Sequence, residues 1–152
     1  FGAAALIDGS LFSDMSAGSD RPVLALFADA TLNGMDEAEA EALEMSAAVL
    51  NAADLERFTG MLGRVRRLVQ NSPDSALVTI AGAEHMNFSD AGALNALLDG
   101  IASDLGAIDS ALALEITNAY LLAFFDETLR GAASQWDTLA TLYPETTVEY
   151  HE

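Results

Sequence analysis

Three ionisable side chains in this sequence fall where acid–base chemistry can be carried out: Asp8, Asp29 and His85. Asp8 directly follows a short apolar run, Asp29 comes two residues after a second, and His85 four residues after a third. Runs of this kind read as strands, and in open α/β sheets functional groups collect beyond the carboxyl ends of the strands. A carboxylate followed in the chain by a histidine is the later part of the order Ser, Asp, His used in one class of nucleophilic catalysis. There the imidazole takes the proton of the serine hydroxyl, while the carboxylate fixes the tautomer and stabilises the imidazolium. Histidine has the basicity this needs near neutral pH, which Lys and Asp lack. The only other histidine, His151, is one residue from the end of the chain.

Each of these residues also has an ordinary use. An Asp at a strand end is commonly a cap or turn residue, and a His after a strand commonly makes one local hydrogen bond. On the residues alone, Asp8 and Asp29 both stand as the acid. The nucleophile is missing: no serine occupies the strained G-x-S-x-G elbow that exposes it. Asp14-Met15-Ser16-Ala17-Gly18 comes nearest, with Asp in place of the first Gly and no strand before it. An elbow is also expected upstream of the acid, and only seven residues precede Asp8. This polypeptide by itself is not expected to hold a complete triad.

The elements that would position these groups alternate in type. Strands are expected at Ala3–Ile7, Val23–Phe27 and Ala76–Ala81, the last two following Pro22 and Pro73. Such continuous apolar runs suit strands covered on both faces. Helices are expected from Asp36 to about Leu50 and from Asp54 to Val69, the second with Leu55, Phe58, Leu62, Val65 and Val69 on one face. Ser89 can cap a helix reaching about Leu105, with Asp90 at its positive end. A last helix runs from Ser110 to about Leu129 and stops at Gly131. The class is therefore α/β, with parallel strands flanked by helices. Three strands make a thin sheet with both edges open, which predicts one incomplete domain over residues 1–152 rather than a finished one.

Composition bounds the rest. The chain has 152 residues, of which 51% are apolar, enough for a core. It carries six arginines and no lysine against 24 acidic residues, a formal charge of −18, which repels phosphate backbones and argues against nucleic-acid binding. Such acidity reads first as the solvated surface of a protein from a high-salt or GC-rich source, and only second as a face for a basic partner. The cluster Glu37, Glu39, Glu41 and Glu44 reads as part of that surface; Arg64, Arg66 and Arg67 read as partners for surface acids, and Phe124, Phe125 and Trp136 as core or seam aromatics. The absence of cysteine excludes disulfides and thiolate sites, and two histidines cannot form a three-histidine zinc site, so no metal or cofactor is expected. No run of 18 apolar residues is present to span a membrane, and no signal peptide is visible in a chain that begins at Phe1 rather than Met.

Two groups of segments resemble the later half of the platelet-activating-factor acetylhydrolase family (plasma and type II) and its bacterial lipase-like relatives. The first is Ile7-Asp8-Gly9-Ser10-Leu11-Phe12, Arg21-Pro22-Val23-Leu24 and Gly82-Ala83-Glu84-His85-Met86-Asn87-Phe88-Ser89-Asp90. The second is Ala107-Ile108-Asp109-Ser110 with the helix Ala119–Gly131. The resemblance implies the C-terminal half of an α/β-hydrolase fold, completed by a missing N-terminal half, and metal-free hydrolysis of short-acyl or phospholipid-type carboxylic esters. It makes Asp8 the triad acid and His85 the general base, with Asp29 the alternative acid, since many α/β-hydrolases carry theirs after the next strand. The serine is then expected on an upstream companion chain of the same precursor, produced by proteolytic processing and held as a heterodimer by pairing at the edge of the first strand. Secretion or a periplasmic location follows from the same resemblance. Residues 34–71 look like a helical insertion, with Met45, Leu50, Phe58 and Met61 as candidates for an acyl entrance. The rival reading is a non-catalytic acidic interaction module derived from a hydrolase. Such a remnant has no reason to keep Asp8 and His85 within hydrogen-bond reach.

Overall fold

The computed structural model describes residues 1–9, 15–29, 31, 61–98 and 105–152. Strand β1 (Ala4–Ile7) and strand β2 (Val23–Ala28) are followed by helix α1 (Met61–Gln70) and strand β3 (Ser75–Ile80). A single 3-10 turn (His85–Phe88), helix α2 (Ala91–Leu98), helix α3 (Ser110–Arg130), helix α4 (Trp136–Leu142) and strand β4 (Thr146–His151) complete the chain. The sheet order is β1-β2-β3-β4, with the first three strands parallel and β4 antiparallel to β3. Three parallel strands were expected where the sheet is mixed and four-stranded. The far side of β3 is covered by β4, so that edge is not open.

β2 has no polar residue, and all of its side chains are buried because helices cover both faces of the sheet. On one face Leu24, Leu26, Val78 and Ile80 pack against Ile116, Tyr120 and Phe124 of α3 and Trp136 and Leu139 of α4. On the other, Ala25, Phe27 and Leu77 meet Val65 and Val69 of α1. The buried residues of α3, at 113, 116, 117, 120 and 124, repeat every three or four positions and form one stripe. Asp109 caps α3, its Oδ1 accepting the Leu112 N–H at 3.0 Å. Gly131 ends the helix in the left-handed conformation, φ +68°, where a side chain would be strained. Tyr120 ties α3 to β4 through its hydroxyl, 2.8 Å from Thr146 Oγ1. Burial pushes that phenol above its ordinary pKa, against the opposing pull of the Thr146 hydrogen bond.

α2 takes its start from Ser89, whose Oγ accepts the Ala91 N–H at 3.2 Å. Residues 99–104 lie outside the described residues, and Leu105 is not helical. The expected helix over 36–50, the acidic cluster at 37–44 and most of the expected insertion at 34–71, with Met45, Leu50 and Phe58, also lie outside them. Met61 opens α1, but its side chain is outside the described part. Of the basic cluster, Arg66 pairs with Glu149 of β4 at 3.4 Å on the surface, a contact that contributes little to stability. No described helix is long and apolar enough to cross a membrane.

β1 differs from its neighbours. Ala4, Ala5 and Ile7 are exposed, and among the described residues only one side of the strand is paired, to β2. Its apolar side chains and free backbone edge are a template for a further strand. On α3, Leu122 and Leu129 also stand exposed, outside the stripe that faces the sheet.

Candidate functional site

The carboxyl ends of β1, β2 and β3 lie side by side because the strands are parallel and in register. Asp8 leaves β1 in the left-handed region, φ +42°, a conformation that short polar residues such as Asp and Asn tolerate better than others. Its N–H donates to Leu26 O at 2.7 Å, continuing the pairing to β2, and this turns the side chain inward. The carboxylate is fully buried and accepts three hydrogen bonds. Oδ1 takes the Ala28 N–H at 3.0 Å, while Oδ2 takes the Thr31 hydroxyl at 2.9 Å and Nδ1 of His85 at 2.7 Å.

His85 opens the 3-10 turn after β3, reached through Gly82 at φ +71°. An ionised carboxylate can only accept, so Nδ1 carries the proton in the neutral ring and Nε2 holds the free lone pair. The ring is 66% exposed on the side away from Asp8. The pair therefore presents a correctly tautomerised base to the outside, with a desolvated carboxylate behind it to stabilise the imidazolium once a proton is taken.

Asp29 serves a different contact. Its Oδ1 accepts the Gly82 N–H at 3.0 Å, which fastens the turn leading to His85. The structure thus brings Asp8 and His85 together and uses Asp29 to hold the backbone beside them. His151 is at the far end of β4, its Nδ1 bonded to Glu152 O. Ser16, centre of the nearest elbow-like sequence, lies in a turn before Gly18, and Asn71 Nδ2 donates to its carbonyl. Among the described residues no group of three His, Cys, Asp or Glu side chains is disposed to hold a metal ion.

Two supporting residues escaped the sequence reading. Thr31 follows the expected second strand with no motif around it. Asn87, two residues after His85, is completely buried. Its Oδ1 accepts the N–H groups of Glu84 (2.9 Å) and Gly106 (2.7 Å), and its Nδ2 donates to Ser110 Oγ at 3.3 Å. One amide therefore joins the histidine turn, the 105–109 loop and the start of α3. A polar amide inside a segment bounded by apolar Met86 and Phe88 was the available signal. Gly106 lets the two loops touch, since any side chain there would collide with the carbonyl oxygen of Gly82. Asn87→Ala strands two N–H groups, at a cost of about 1–3 kcal/mol each if buried and unsatisfied. We expect a lower urea midpoint and faster hydrogen exchange at the Glu84 and Gly106 amides; retained protection at both would show that the amide is dispensable.

Residues 1–146 match the family model described as platelet-activating factor acetylhydrolase, isoform II. No curated protein matches the chain. Among solved structures, ferulic acid esterase from Streptomyces cinnamoneus is similar at 24% identity with a TM-score of 0.61, covering 99% of this chain and 40% of that one. That likeness shows the fold, a partial α/β-hydrolase, and the chain spans well under half the length of that esterase.

Proposed function

Because this chain belongs to the platelet-activating factor acetylhydrolase, isoform II, family, a family of esterase-type hydrolases, we propose that it is the acid–base part of a serine carboxylic-ester hydrolase. The observation that carries this reading is the 2.7 Å contact between a buried carboxylate and His85 Nδ1, with the ring open on its other side. Asp8 is the triad acid and His85 the general base. The serine comes from an upstream polypeptide of the same precursor. His85 Nε2 takes its proton as Oγ attacks the ester carbonyl carbon, then returns that proton to the departing alcohol oxygen. A water molecule, deprotonated by the same nitrogen, then attacks the acyl carbon; the acyl–Oγ bond breaks, the acid departs, and Nε2 returns the proton to the serine Oγ. Short-acyl or phospholipid-type esters are the substrate class the family suggests.

The companion would dock along β1, adding its last strand to the edge that has no partner among the described residues. Its expected cargo, the G-x-S-x-G elbow, is the part absent from this sequence. A hydrolase remnant acting only as an acidic interaction module would not need a buried carboxylate held by three donors, and this favours the enzyme. The test is a fluorophosphonate probe applied to this chain assembled with the upstream segment, read by denatured intact mass. Labelling of the upstream segment alone is the expected result; an unlabelled complex that binds basic proteins in a salt-sensitive way would overturn it in favour of the module.

The choice of acid has its own test. Asp29→Asn keeps an oxygen for the Gly82 N–H, so the assembled enzyme should retain most of its kcat in an ester-hydrolysis assay. If Asp29→Asn is inactive and Asp8→Asn is not, Asp29 is the acid.

A further inference from the structure

Asp8 is pinned by more than its histidine. The last residue of β2 and a residue three positions beyond it supply two donors, the Ala28 N–H to Oδ1 and the Thr31 hydroxyl to Oδ2, the oxygen that also meets His85. The terminal torsion of an aspartate is broad and nearly two-fold, so one bond to one oxygen leaves the carboxylate plane free to rock. A second bond to the other oxygen fixes the plane. The side chain is fully buried, which leaves little room for water to replace a lost donor.

We propose that Thr31 is a positioning residue for the acid–base pair, its hydroxyl setting the plane of the Asp8 carboxylate so that Oδ2 presents to His85 Nδ1. This rests on the hydrolase reading above for its kinetic consequence, while the geometry it invokes does not. The Thr31 hydroxyl contacts Asp8 Oδ2, and Thr31 acts through that carboxylate. The same short stretch, residues 28–31, also contributes Asp29 to the Gly82 N–H. Ala28, Asp29 and Thr31 thereby fasten both the acid and the turn that carries the base.

The experiment compares Thr31→Val with Thr31→Ser in the assembled hydrolase. Val keeps the branched shape and removes the hydroxyl; Ser keeps the hydroxyl and removes the methyl. We expect Val to lower kcat by about 10- to 100-fold, the scale of a small misplacement of a catalytic group, with KM unchanged, and Ser to restore most of it. The downfield proton resonance of the His85 Nδ1–H should shift or broaden in Val and return in Ser. Val with native kcat and an unmoved resonance would overturn the proposal. Equal losses in Val and Ser would overturn it too, because they would assign the effect to methyl packing. If Val does not fold, the Ser variant together with Thr31→Ala carries the same comparison. Should the unsubstituted assembly prove inactive towards esters and fluorophosphonate, the hydrolase reading fails, yet the resonance still reports whether Thr31 holds Asp8.

Discussion

Asp8→Asn in the assembled hydrolase should reduce kcat by about 10⁴-fold, the loss typical when a triad acid becomes an amide, with little change in thermal stability. Asparagine tolerates the left-handed backbone that Asp8 adopts at φ +42°, so the turn after β1 is preserved. Its amide oxygen can still accept one of the donors from the end of β2. What changes is the face towards His85. An amide NH₂ there donates to Nδ1, moves the ring proton to Nε2 and leaves no lone pair to receive the serine proton. His85→Ala should be at least as damaging, since it removes the base itself, and the exposed position of the ring makes it the less disruptive of the two for folding. Steady-state kinetics on an activated ester, alongside melting curves, test both. Native-like turnover in folded His85→Ala would remove the pair from the mechanism, and in folded Asp8→Asn it would remove Asp8 as the acid.

Phe124→Ala should have the largest effect on stability, about 3–5 kcal/mol by the usual cost of truncating a buried aromatic. Phe124 is fully buried in the stripe where α3 meets the sheet, and its ring lies 5.1 Å from that of Phe125. Against a total stability of about 5–15 kcal/mol for an ordinary domain, such a loss leaves little margin. Urea unfolding monitored by far-UV circular dichroism would show it as a fall in midpoint at constant slope. A change below ~1 kcal/mol would mean that the layer between α3 and the sheet collapses around the gap more readily than close-packed cores do.

Much of this was written locally in the chain. The apolar runs that became β1, β2 and β3 needed no partner to be recognised, though only β2 is both apolar throughout and buried on both faces, whereas β1 is largely exposed and β3 includes Ser75 and Thr79. The end of α3 was equally legible, since Gly131 meets a backbone requirement set by its immediate neighbours. β4 was not. Thr146-Thr147-Val148-Glu149-Tyr150-His151 is mostly exposed and polar, and what makes it a strand is the edge of β3. Intrinsic strand preference is weak beside that of a ready partner.

The site divides along the same line. Residue types and chain order proposed a carboxylate and a histidine at strand ends, and the resemblance favoured Asp8 over Asp29, but order alone left both within the argument. Tertiary structure decided which carboxylate meets His85, across 77 residues of sequence, and gave Asp29 the Gly82 N–H instead. It also recruited Thr31 and Asn87, whose roles depend on donors and acceptors from distant segments. Local sequence determines what a segment can become, through sterics and periodicity that act over a few residues. Which side chains end up 3 Å apart follows from strand register and helix packing, and those are set only when the whole sheet assembles.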